Sequence, residues 1–120
     1  MIYNDYKYLE YAFEYIGLSF DEFMDEGVDT ESKIRSFIKS KIREKFRNKK
    51  NFSEREYDDA INYLRDNDYK FAGSMMAASE MGFGLKDMNP VVLATCLIGW
   101  NLQNFLIENI DLVKKSIRQY

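Results

Sequence analysis

The sequence predicts an all-α fold, a compact bundle of five or six helices around a long C-terminal helix. Apolar residues recur three and four positions apart through most of the 120 residues, and this is the period of a helix. No segment alternates apolar and polar residues between turn signals, and no Asn-Gly or Asp-Gly pair offers a hairpin turn. A chain that is 46% apolar and 31% charged can bury one core. We therefore treat residues 1–120 as a single helical domain.

Two helices are predicted in the N-terminal quarter of the chain. The first covers positions 3–16, where apolar side chains fall at helical spacing, and Gly17 is a residue type that often closes a helix. The second is short and acidic. Ser19 and Glu22 have the spacing of a capping box at its start, and Gly27 ends it.

The middle of the chain predicts a basic helix and then a second helical region. Asp29 or Thr30 caps the basic helix, which runs to about position 48. Its apolar face consists of Ile34, Phe37, Ile38, Ile42 and Phe46. Ser53 and Glu56 repeat the capping-box spacing and begin the next helix. The poor helix formers at 66–68 are expected to break or kink it.

The last helix is predicted to begin at Asn89 and Pro90, a capping residue followed by the proline that favours the first helical position. It is expected to run unbroken to about position 118. The apolar stretch 91–100 is well short of a membrane span, so it predicts a buried helix and no membrane contact. The amphipathic stretch 102–117 is also compatible with pairing in a homodimer.

Several chemistries are excluded by the residue inventory. The chain has no histidine and one cysteine, Cys96, so no His-based catalytic site and no Cys-rich metal centre can form within it. Glycines do not match either phosphate-binding loop motif. One cysteine and no signal-like start indicate a cytoplasmic protein. We expect no catalytic residues, no metal and no cofactor, and therefore not an enzyme.

Charge is strongly separated along the sequence. Residues 1–32 carry nine acidic groups and one basic group, whereas residues 33–55 carry ten basic and two acidic groups. Four of the bases recur every four residues and form one line along the basic helix, on the side away from Ile34 and Phe37. We call them the basic line: Arg35, Lys39, Arg43 and Arg47. Like charges at this spacing repel, so the line predicts an acidic neighbour.

Three acidic neighbours are compatible with the basic line. The first is the chain's own segment 21–31, the second is nucleic acid bound by the basic helix 33–50, and the third is an acidic surface of another protein. The chain has a pI near 5.0, which disfavours nucleic acid. Tyrosine is a frequent interface anchor, and three tyrosines share one side of the first helix: Tyr8, Tyr11 and Tyr15.

The leading interpretation is therefore a small protein that binds another protein and occludes or regulates it. Inhibitors, immunity proteins and anti-defence factors of phages or mobile elements work in this way, because occlusion needs area and complementary charge without chemistry. The predicted contacts are the basic line together with the three tyrosines. The alternative is a nucleic-acid-binding protein that uses the same helix.

Overall fold

A computed structural model confirms the all-α prediction. It describes residues 3–47, 49, 51–66 and 71–120, and for residues 3–6, 8, 71 and 72 it describes the backbone only. The described residues form seven α-helices and a short 3₁₀ helix between the fifth and the sixth at Leu85–Asp87. The α-helices are α1 (Tyr3–Ile16), α2 (Phe20–Asp25), α3 (Glu31–Phe46), α4 (Glu54–Asp66), α5 (Phe71–Glu80), α6 (Pro90–Glu108) and α7 (Ile110–Gln119). Positions 67 and 68 of the predicted interruption lie outside the described residues.

The centre of the bundle is α6. It packs against α1, α3, α4, α5 and α7, and every residue from Val91 to Gly99 is buried. By length and composition alone this helix is apolar enough to cross a membrane, but 67% of its apolar window is buried against the rest of the chain. Burial on all sides explains why its first half shows no polar face.

The basic helix α3 packs its apolar face directly on α6. Ile34, Ile38 and Ile42 have no exposed surface. Opposite them α6 carries Gly99, where an added Cβ would overlap Cδ1 of Ile42. The absence of a side chain at Gly99 therefore allows the two helices to approach closely. This close contact fixes which side of α3 faces outward.

The predicted helix starts are confirmed in atomic detail. The Ser19 hydroxyl accepts a hydrogen bond from the Glu22 amide at 3.1 Å. Ser53 and Glu56 form the complete reciprocal capping box, with both side-chain to backbone distances at 3.1 Å. Asn89 caps α6 by accepting from two amides of its first turn. Local sequence signals therefore set these boundaries.

The last helix differs from the prediction because it is divided at Asn109. α6 ends at Glu108 and α7 begins at Ile110. The Asn109 backbone leaves the helical region, and its side-chain amide donates to the carbonyl of Phe105 at 2.8 Å. Asparagine competes for backbone groups in this way and so favours helix ends. The break directs α7 toward α2, which it contacts.

Candidate functional site

The basic line faces a groove and not an open surface. Its four side chains are exposed, and all of them line two clefts whose other walls come from the end of α5, the segment that joins α5 to α6, and α6 itself. One cleft lies beside Arg43 and Arg47, and the other beside Arg35 and Lys39. We call them the Lys86 cleft and the Trp100 cleft, after a residue that each contains.

Arg43 separates the two clefts by fastening the α5–α6 segment to α3. Its Nη1 donates to the carbonyl of Gly82 at 2.9 Å and to that of Met81 at 3.4 Å. Its guanidinium lies 5.5 Å from the centre of the Phe83 ring. Gly82 has φ +90°, and a Cβ there would lie 2.6 Å from Nη1 of Arg43. The positive φ favours glycine at position 82, and a side chain there would also displace the guanidinium of Arg43.

Replacing Arg43 with Met is expected to loosen the segment 81–87 without unfolding the bundle. The variant removes two hydrogen bonds from a charged donor, at a cost of about 1 to 2 kcal/mol at this partly exposed position. Hydrogen exchange of the amides at 81–87 should become faster, while exchange in α6 should not change. Lys39→Met is the matched control, because it removes a charge from the same line without a bond to this segment. Equal exchange in both variants would refute the fastening role.

The Lys86 cleft is basic and has aromatic walls. Its volume is about 490 Å³. Among the described residues, four bases line it against a single carboxylate, Asp87: they are Arg43, Arg47, Lys49 and Lys86. Phe46, Phe52 and Phe83 contribute apolar surface. Because Lys49 is paired with Glu56 at 2.8 Å, the uncompensated charge in the cleft comes mainly from the other three bases.

The Trp100 cleft has a different character. Its volume is about 580 Å³, and its lining includes two bases, two acids, two serines and the only tryptophan of the chain. Gln103, one helical turn after Trp100, also lines it although this residue is only 3% exposed. Among the residues that the structure describes, the Gln103 side chain has no hydrogen-bond partner.

The acidic segment 21–31 pairs mainly with bases of α3 that lie outside the basic line. It forms three ion pairs with the basic helix: Asp29 with Lys33 at 3.1 Å, Glu31 with Arg35 at 2.9 Å, and Glu22 with Lys41. Only Arg35 belongs to the basic line. Within the described part of the chain, no carboxylate lies at ion-pair distance from Lys39, Arg43 or Arg47. Most of the line therefore keeps its positive charge.

The tyrosines of α1 lie on another side of α3. Tyr15 is half-buried, and its carbonyl accepts a hydrogen bond from Lys45 Nζ at 2.6 Å. Lys45 is two positions from both Arg43 and Arg47, so it lies about 200° around the helix from them. Tyr11 is 45% exposed, and its ring lies tilted against the Tyr15 ring with ring centres 5.8 Å apart. The structure does not bring these tyrosines together with the basic line, and the side chain of Tyr8 lies outside the described residues.

Lys45 occupies an unusual place for a lysine. Its Nζ lies 4.1 Å from the centre of the Tyr15 ring, and burial, reinforced by the nearby charge of Lys49, lowers its pKa to about 8. A folded-state pKa below the ordinary 10.5 means that the unfolded chain binds more protons than the folded protein between these values. The buried ammonium is therefore a cost to folding at neutral pH.

The free energy of unfolding is accordingly expected to rise with pH between about 8 and 9. Lys45 loses its proton in the folded state over this window. Above about pH 9 the buried thiol of Cys96, whose pKa burial raises to about 12, and Tyr15, whose pKa burial also raises, act in the opposite direction. Denaturant unfolding at several pH values measures the effect, and Lys45→Met should abolish the rise. A flat profile for the native chain would contradict it.

Cys96 is buried, as its place in the apolar stretch 91–100 predicts. It has no exposed surface, and its raised pKa keeps it a thiol at neutral pH. In the part of the chain that the structure describes, no three potential metal ligands cluster. The side chains that line the groove offer charge, hydrogen bonds and aromatic contact.

The residues that form the wall of the groove opposite the basic line were not predicted from the sequence. Phe83 and Lys86 lie in the segment between α5 and α6, Lys86 within its 3₁₀ helix, and nothing in the local pattern indicates which helix that segment contacts. Gln103 gave no distinct signal, because it stands among other polar residues, Asn101 and Asn104, in the second half of the helix. Its juxtaposition with Lys39 depends on tertiary packing.

No protein-family model, curated protein or solved structure matches this chain.

Proposed function

We propose that this is a small non-catalytic protein that binds an acidic surface of another protein through the basic line and so occludes or regulates its target. The observation that carries the proposal is that no carboxylate of the described residues lies at ion-pair distance from Lys39, Arg43 or Arg47. Like charges at this spacing destabilise a helix. An acidic partner relieves that repulsion and gains complementary contacts.

The lining of the groove favours protein over nucleic acid. Carboxylates from Glu31, Glu80 and Asp87 stand among the bases, and they would repel a continuous phosphate backbone. The acidic side chains of a protein partner are separate charges, so they can lie beside the bases without approaching these three carboxylates. The aromatic walls also match the mixed polar and apolar character of protein interfaces.

An inhibitor, immunity or anti-defence factor, encoded by a phage or mobile element and active in the cytoplasm, is the kind of protein that we propose. Such a factor needs no catalytic group, because covering a functional surface of its target is sufficient. Tyr11 remains a candidate anchor for a second contact, since it is exposed. Pairing of two copies through α7 also remains a proposal, and light scattering tests it.

The proposal is tested by capture from a lysate of the native host, with and without nuclease and at two salt concentrations. We expect one protein to be retained in both nuclease arms by the native chain and lost by a variant in which Lys39 and Arg47 are changed to Glu. Targets that disappear with nuclease, or recovery of nucleic acid alone, would overturn the proposal in favour of the nucleic-acid alternative. That alternative also predicts a steep loss of affinity with salt.

A further inference from the structure

We propose that the Trp100 cleft binds a carboxamide side chain, Asn or Gln, that lies among the acidic residues of the partner. This inference rests on the proposed function, and it adds the chemistry of one contact. It is based on three observations: the buried amide of Gln103, the balance of charge around it, and the position of Trp100.

Gln103 is the first observation. Gln103 is 3% exposed and lines the cleft, and its side-chain amide makes no hydrogen bond to any residue that the structure describes. An unsatisfied buried polar group costs about 1 to 3 kcal/mol. Such groups in native proteins call for an explanation, and a ligand group that enters the cleft supplies one.

Charge balance selects the kind of ligand. Arg35 and Lys39 line the cleft together with Glu31 and Glu80, so its formal charges cancel. A partner carboxylate that enters this cleft would meet Glu31 and Glu80 as well as the two bases, so it would gain less here than in the Lys86 cleft. A carboxamide offers one acceptor and two donors without a net charge. It can both donate to and accept from the amide of Gln103, which is the self-complementary pairing of two amides.

Apolar contacts hold the stem of the ligand side chain. Trp100 and Met81 also line the cleft, and both present surface against which the methylene groups of Asn or Gln can pack. Tryptophan in a half-buried position supplies a large contact area at low entropic cost. The amide end of the ligand then reaches Gln103, and its backbone remains at the rim.

The spacing along α3 places acidic side chains beside this carboxamide. Lys39 and Arg47 are eight residues apart, or about 12 Å along the helix. An extended segment covers that distance in about four residues. A partner segment that places its carboxamide beside Lys39 can therefore reach the Lys86 cleft with an acidic side chain a few residues away.

The experiment uses three nine-residue peptides of alternating Glu and Ala that differ only at the central residue, which is Gln, Met or Glu. Affinity is followed by the fluorescence of Trp100, the only tryptophan of the chain, and by the side-chain amide resonances of Gln103. We expect the Gln peptide to bind about tenfold more tightly than the Met peptide, as one or two hydrogen bonds imply. We expect it to bind more tightly than the Glu peptide as well.

Gln103→Met removes the amide and keeps the shape of the side chain. In this variant the preference for the Gln peptide should disappear, and the Gln and Met peptides should bind alike. Gln119→Met, at an exposed position of α7, is the matched control and should keep the preference. Circular dichroism and thermal unfolding verify that both variants are folded.

The outcomes separate this inference from the proposed function. Equal binding of all three peptides by the native chain, or an unchanged preference in Gln103→Met, would overturn the carboxamide site and leave the acidic partner standing. Binding of the Glu peptide alone would do the same. Binding of none of the peptides would count against both.

Discussion

Reversing the charge of both Lys39 and Arg47 is expected to weaken binding of the captured partner by roughly a hundredfold, or about 2.7 kcal/mol. Both side chains are exposed and lack a carboxylate partner among the described residues, so the substitutions disturb no internal ion pair. Placing like charges across an interface costs several kcal/mol. Arg43 is left unchanged because it holds the loop 81–87 in place.

Lys114→Glu with Lys115→Glu is the matched control for that variant. It makes the same change in net charge on the exposed surface of α7. Titration calorimetry with the captured partner measures both variants, and circular dichroism confirms their helical content. A similar loss in the two variants would mean that total charge, and not the basic line, governs binding.

Gly99→Val is expected to destabilise the fold by about 3 kcal/mol. Even a single Cβ at this position overlaps Ile42 Cδ1 and lies 3.4 Å from Ile38 Cγ2, and both isoleucines are fully buried. Overpacking a tight core typically costs about 1 to 3 kcal/mol. Valine is a slightly better helix former than glycine, so the expected loss comes from the overlap and not from helix propensity.

Ile42→Ala provides the test of this close contact. Alone it leaves a cavity and should cost about 3 kcal/mol. Combined with Gly99→Val it vacates the space that the valine needs, so the double variant should be at least about 2 kcal/mol more stable than additivity predicts. Denaturant unfolding of the four chains measures the coupling. Strict additivity would show that α3 and α6 do not meet as the structure has them.

The parts of the fold that were predicted correctly depend on neighbours in sequence. Ser53 and Glu56 are three residues apart, and each satisfies a backbone amide of the other, so their pairing needs no knowledge of the rest of the chain. The isoleucines of α3 likewise identify its buried side by their spacing. The break at Asn109 was missed because one asparagine is a weak signal within a long apolar pattern.

The candidate site was predicted only in part, because its two walls come from distant segments. The four bases of the line share one side of α3, as helical geometry requires. The opposite wall is set by the contact of Arg43 with the carbonyls at positions 81 and 82, a pairing across 39 residues that no local pattern contains. The sequence also left open whether the acidic segment 21–31 neutralises the basic line. Its carboxylates pair with Lys33, Arg35 and Lys41, and which bases they reach depends on how the segment folds against α3.

The position of α6 late in the chain has a consequence for how the protein is made. α1, α3, α4 and α5 each pack mainly against α6, yet all of them leave the ribosome before it does. Until α6 has been synthesised, their apolar faces lack the surface that covers most of them. The nascent chain therefore closes its core in one late step, and the groove between α3 and the 81–87 loop comes into existence only then.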